Sequence, residues 1–164
     1  MPKERSLLRR RIAPSTPLSL ELVDDSGDKF TKNFRLSLDY NAASYIELKS
    51  GLGFLDGEIW GRLNATTISI MLYAAILANH PEYWTVDRED RPTDDGLEVI
   101  RSYMDMENTE KITKALNDAY VASLPPDKKE RALKAQAEAE ARAENPTKPA
   151  ATPSPQPTAI GAGG

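Results

Sequence analysis

Apolar and polar residues alternate over two short stretches near the start of the chain. Leu18, Leu20 and Leu22 are separated by Ser19 and Glu21, and in the stretch from Phe30 to Leu38 the residues Leu36 and Leu38 alternate with Ser37 and Asp39. A period of two is what a strand with one covered face requires. The run from Asp24 to Asp28, with Ser26 and Gly27, supplies turn chemistry between the two stretches, so a β-hairpin is predicted. The period then lengthens. Ala42, Tyr45, Ile46 and Lys49 fall on one side of a helix beginning near Asn41. Asp39 is placed to accept from its free N–H groups, and Gly51 to end it in the left-handed conformation.

After Gly51 and Gly53 comes a short helix from Leu55 to Leu63, interrupted by Gly57 and Gly61. Asn64 caps a helix over 65–79 that is apolar nearly all round, which predicts burial on several sides and a place at the centre of the domain. The loop from His80 to Pro92 follows. Thr93 offers the next cap, with Asp94 and Asp95 in the first turn and Leu97, Ile100 and Met104 at apolar spacing. Asn108 or Thr109 starts another helix, whose stripe of Ile112, Ala115, Leu116, Ala119 and Tyr120 ends before Pro125 and Pro126.

Beyond the two prolines, Asp127 to Glu130 has capping-box spacing and an Ala-rich run reaches Glu144, with little apolar mass to dock. Basic residues crowd the N-terminal half of that run and Glu138, Glu140 and Glu144 the C-terminal half, opposite to what the helix dipole favours, so an exposed, fraying helix is predicted. From Pro146 on, five prolines, three glycines and one charged residue leave nothing to pack, which predicts a disordered tail. The organisation read from these patterns is a basic arm (1–16), a globular domain (17–124), an exposed helix (125–145) and the tail (146–164). The fold class is α+β, mainly helical: a small N-terminal hairpin and a bundle of about four to five helices.

Charge divides the chain in the same way. Residues 1–11 carry five basic side chains against Glu4 alone, whereas residues 12–126 carry ten basic and nineteen acidic ones. An acidic body argues against a nucleic-acid surface, which needs a concentrated positive face. The arm is read as a solvated lead-in, or as a contact for nucleic acid or an acidic partner. The absence of cysteine excludes disulfides and Cys-based zinc sites. The longest apolar run, Ile68 to Ala78, is too short for a bilayer, which takes roughly 20 apolar residues. No secretory signal pattern is present, so the default compartment is the cytoplasm.

Catalytic chemistry is sparse in this sequence. The lone His80 stands at a helix C-terminus, where an imidazole interacts well with the dipole, and capping is favoured over catalysis there. No Walker-type loop and no dinucleotide fingerprint occurs. Asp24, Asp25 and Asp28 lack calcium-loop spacing and are read as turn formers. Asp87, Glu89, Asp90, Asp94 and Asp95 could gather a hard cation, but Arg88 and Arg91 interleave with them, which favours a charge-paired loop. Tyr83 and Trp84 leave two readings open: a ring folded back over the core, or an exposed anchor for a partner.

One stretch carries more than composition. The strand ending in Asp39, the helix pattern Asn41-Ala42 with Glu47 and Gly51, and the apolar helix from Ile68 closing on His80 and Pro81 together resemble the tail assembly chaperones of long-tailed bacteriophages and related gene transfer agents. The likeness covers roughly residues 30–124. The charged loop from Glu82 to Pro92, the basic arm and the long tail depart from the family pattern. The resemblance implies a cytoplasmic, non-enzymatic protein, without cofactor or metal and absent from the mature virion. Such a protein coats the tape measure protein, keeps it soluble and helps recruit major tail tube subunits, with self-association possible and no nucleic acid or membrane partner. Family members are often made in a short and a frameshifted longer form, and the terminus from Gly161 to Gly164 resembles the short one. Expected partner contacts are Tyr83 and Trp84 on the loop and the face of Ile112, Leu116 and Tyr120, the latter read also as core. Two other classes stay open: a structural virion component such as a tube or connector subunit, which would be richer in β-structure, and a small metal-dependent hydrolase, which would gather Asp87 to Asp95 around an ion.

Overall fold

Two antiparallel strands and five α-helices make up the computed structural model, which describes residues 14–144. Most of the basic arm and all of the tail from Pro146 lie outside the described residues. Strands β1 (Thr16–Val23) and β2 (Lys29–Leu36) pair from Thr16 opposite Leu36 to Val23 opposite Lys29. Their turn closes on Asp24, whose Oδ1 accepts from the N–H groups of Ser26 and Asp28, while Gly27 takes a φ of 85°. Leu18, Leu20, Leu22, Phe34 and Leu36 form the covered face. The strand stops two residues earlier than predicted. Ser37 and Leu38 are both buried, because the Ser37 N–H leaves the strand to donate to the Ala75 carbonyl at 2.7 Å.

Helix α1 (Tyr40–Ser50) is bounded as the sequence predicts. Asp39 Oδ1 accepts from the Ala42 N–H at 2.8 Å, and Gly51 ends the helix at φ 69°. Glu47 then shapes the exit: its Oε1 accepts from the N–H groups of Phe54 and Leu55, folding the following loop back onto the helix. The short helix expected over 55–63 is a 3-10 turn, Glu58–Arg62, after a left-handed Gly57.

Helix α2 (Ala65–Leu77) is the centre of the domain. Asn64 and Thr67 cap it reciprocally, and every residue from Thr67 to Ile76 is buried. α1 crosses one side of it, and α3 (Asp95–Ser102), α4 (Thr109–Ser123) and β2 pack on others. Its buried serine hydroxyl is satisfied: Ser69 Oγ donates to the Thr66 carbonyl and accepts from Arg101 Nε. A buried side chain such as Leu72 contributes on the order of 2–5 kcal/mol relative to Ala, transfer and cavity terms together.

Both boundaries of α3 shift. α3 begins at Asp95 rather than after Thr93, since the Thr93 hydroxyl is drawn into tertiary bonds with Thr85 Oγ1 (2.7 Å) and Asp95 Oδ2 instead of capping. It ends at Ser102, so Met104 lies beyond it. α5 (Pro126–Glu144) buries none of its residues, in keeping with its poor apolar content.

Candidate functional site

Pro81–Tyr83 forms a single 3-10 turn directly after α2, and the Trp84 N–H donates back to the Pro81 carbonyl. The loop beyond is closed on itself. Val86 and Pro92 form an isolated bridge, Asp87 Oδ1 accepts from the Glu89 and Arg91 N–H groups, and Asp87 Oδ2 receives Arg91 Nε at 2.8 Å. These hydrogen bonds, the Arg91 backbone first, hold the Asp87 carboxyl below its ordinary range. Asp94 pairs with Lys49 Nζ at 2.7 Å, and Asp95 turns to Thr93. The loop's carboxylates therefore do not converge on one point, and among the described residues no group of three or more His, Asp or Glu could hold a metal ion.

The two adjacent aromatic residues meet different neighbours. Tyr83 is half-buried against the hairpin, with its ring centroid 6.0 Å from Phe34, and Lys32 lies beside its phenol. Desolvation by burial raises the Tyr83 pKa, while the neighbouring Tyr83 phenol raises that of Lys32. Trp84 instead stands 44% exposed. It walls a groove of about 310 Å³ between α1 and α2.

The groove exists because its walls are lined with small side chains. Ala42 on α1 faces Ala74 and Ala78 on α2, with Leu77 and Tyr45 completing the apolar surface. Asp39 and Asn41 supply polar groups at the α1 N-terminus. Beneath it, the Tyr45 and Tyr73 rings meet at a tilt of 58° with centroids 5.5 Å apart, and the Tyr73 hydroxyl donates to the Tyr83 carbonyl at 3.1 Å. Burial, reinforced for Tyr45 by the negative charge of Asp94, pushes both phenols up to about 12. They are neutral, rigid parts of the floor at neutral pH. Gly96 permits the close approach of α3: a Cβ there would sit 1.8 Å from the Tyr83 carbonyl oxygen.

The α4 face is corrected by the structure. Ile112 and Leu116 are fully buried, facing β1 and α2, and Tyr120 packs half-buried against Phe54 and Trp60 with centroids 5.5 and 5.2 Å away. The stripe is covered by the chain's own hairpin and central helix, and it offers no surface to a partner. Tyr83 is likewise committed to the hairpin. Of the five residues expected to contact a partner, Trp84 is the one at an open groove.

His80 also differs from its expected role. Its ring does not cap the helix dipole; Nε2 accepts the Arg35 N–H at 3.0 Å, which leaves Nδ1 to carry the proton toward Glu82 Oε1 at 3.3 Å. Asn79 Nδ2 donates to the Arg35 carbonyl and to Ser37 Oγ. The end of α2 is thus tied to β2 by side chains. The groove residues Ala42, Leu77 and Ala78 carry no sequence signal beyond helix spacing, since alanine at a wall position reads the same as alanine in a core, and Asp39 signals only a helix cap.

No family model, no curated protein and no solved structure matches this chain. Among the described residues no helix is long and apolar enough to cross a membrane.

Proposed function

We propose that this protein is a tail assembly chaperone of the long-tailed phage type, acting in the cytoplasm of the host cell. It binds segments of the tape measure protein, keeps them soluble and helps bring tail tube subunits to them. The observation that carries the reading is the open apolar groove between α1 and α2 with the half-exposed Trp84 ring at its wall. A helical client presents apolar side chains three and four residues apart, and an apolar groove between two helices is a surface on which such side chains can dock. Support also comes from the order of strand, Asp-capped helix, glycine stop and buried apolar helix, on which the family resemblance rests and which the fold contains. The single hairpin among the described residues gives a tube-subunit reading no β-rich sheet to stand on, and the dispersed carboxylates give a metal-hydrolase reading no cluster.

The test is co-expression with the tape measure protein encoded near the same gene. The client should be recovered in the soluble fraction in complex with this protein. Trp84→Ala should weaken capture by roughly 1–3 kcal/mol while the circular dichroism spectrum stays folded. A client that stays insoluble with and without this protein would overturn the proposal.

A further inference from the structure

We infer that His80 is a proton-sensitive latch: taking up a second ring proton in mild acid makes it release the Arg35 amide and free the outer margin of β2. The latch is separate from whatever the α1/α2 groove binds. His80 is the chain's one histidine, and imidazole is the side chain that changes charge between about pH 5 and 8. Its two nitrogens are used in opposite senses. Nε2 accepts the Arg35 main-chain N–H at 3.0 Å, which only an unprotonated nitrogen can do, while Nδ1 faces Glu82 Oε1 at 3.3 Å. A protonated ring carries a hydrogen on both nitrogens, so its Nε2–H would point into the Arg35 N–H and two donors would meet with no acceptor between them. The neutral ring is therefore the closed form. The latch holds above the imidazole window and opens as pH falls through it.

The surroundings set how the ring responds. Phe34 and Tyr83 meet it edge-on with centroids 5.5 and 6.4 Å away, and its side chain is 21% exposed, so the new N–H reaches water by the ring turning outward. The charged neighbours pull in both directions. Glu82 favours the cation; its carboxyl is held below the ordinary range, first by a hydrogen bond from its own backbone N–H, and stays ionised throughout the window. Lys32 on β2 opposes it with a positive charge near Glu82 and Tyr83, its ammonium 5.7 Å from the Tyr103 ring centroid. The Arg35 side chain is exposed, the Tyr83 phenol is raised by burial and neutral, and the last turn of α2 brings no basic group. Asn79 limits the opening. Its Nδ2 holds the Arg35 carbonyl and Ser37 Oγ and does not titrate, so α2 stays against β2 while the Arg35 N–H alone is released.

The test is an NMR titration of the full chain that follows the His80 ring nitrogens together with hydrogen exchange at single amides, each corrected for the intrinsic pH dependence of exchange. Between about pH 7.5 and about pH 5 the Arg35 protection factor should fall about tenfold, in step with the ring, while the Ser37 and Leu72 amides keep theirs. Their acceptors do not titrate. His80→Gln places a carbonyl oxygen close to the Nε2 position, so Arg35 should stay protected at both ends of the range. Glu82→Gln removes the carboxylate that favours the cation and should move the midpoint of opening to lower pH. Constant Arg35 protection while the ring titrates would overturn the inference, as would a ring that stays neutral down to about pH 5. So would protection lost equally at Ser37 and Leu72, which is general unfolding, or a pH-dependent loss at Arg35 that persists in His80→Gln. Should the Gln variant not fold, the ring and amide titrations of the parent decide between these outcomes by themselves.

Discussion

Replacing Gly96 by Ala would test how the Trp84 loop is held. Gly96 lies in the first turn of α3, buried, and its N–H donates to Thr85 Oγ1. In an exposed helix the change would stabilise by up to about 1 kcal/mol through propensity. Here the new Cβ would lie 1.8 Å from the Tyr83 carbonyl oxygen and 3.1 Å from Tyr73 Cε2. Ordinary contact requires the first pair to part by about 1.5 Å, and a carbonyl in the main chain cannot swing aside as a side chain could. Overpacking of this kind costs about 1–3 kcal/mol. The same carbonyl accepts the Tyr73 hydroxyl, so its displacement strands a buried phenol at a further cost of about 1–3 kcal/mol. After a propensity gain of about 1 kcal/mol, the net loss should be about 1–5 kcal/mol. It is read from urea unfolding midpoints at constant slope, with Trp84 fluorescence shifting as the loop lifts. Gly61→Ala is the control: nothing lies within 4 Å of its Cβ, and the change should stay within about 0.5 kcal/mol. A Gly96→Ala protein as stable as its parent would refute the close packing of α3 on the Tyr83 backbone.

Leu72→Ala should lower stability by about 2–5 kcal/mol in the same assay, whereas Leu133→Ala on the exposed α5 should stay within about 0.5 kcal/mol. His80→Ala should speed hydrogen exchange at the Arg35 amide at least about tenfold, since that N–H loses its acceptor; unchanged exchange would mean water replaces the ring without cost. Tyr45 and Tyr73 have folded pKa values raised to about 12, so they contribute stability that is complete below pH 10 and is lost as pH climbs from 10 through 12; phenolate absorbance should rise in step with unfolding over that window.

Local rules were enough wherever a residue's partners are near in sequence. Asp39, Gly51 and Asn64 do what their positions imply, and the alternation of Leu18, Leu20 and Leu22 places the hairpin. The all-round apolar character of α2 gives its central burial. Prediction failed where a distant element competes for the same group. Ser37 leaves the strand for Ala75, Thr93 abandons a cap for Thr85, and His80 turns from its own helix to Arg35. Amphipathicity alone also cannot say what covers a stripe, so the face of Ile112 and Leu116 stays open to a client even though the core is its better reading. The groove was least legible, because it is made of what Ala42, Ala74 and Ala78 do not fill.

The side-chain clasp on Arg35 has a consequence for how copies of this protein behave when crowded. A two-stranded sheet has two outer margins, each a template on which a further strand could grow. Asn79 and His80 occupy both main-chain groups of Arg35 on the outer margin of β2. Its cross-strand partner is Pro17, and in antiparallel pairing the two members of such a pair both point outward, so the β1 margin lacks a donor at the same level. Both margins are thereby blunted at the base of the hairpin, where the leucine-rich face would otherwise invite aggregation or strand exchange. Copies held at high concentration can therefore stand side by side without fusing into a shared sheet.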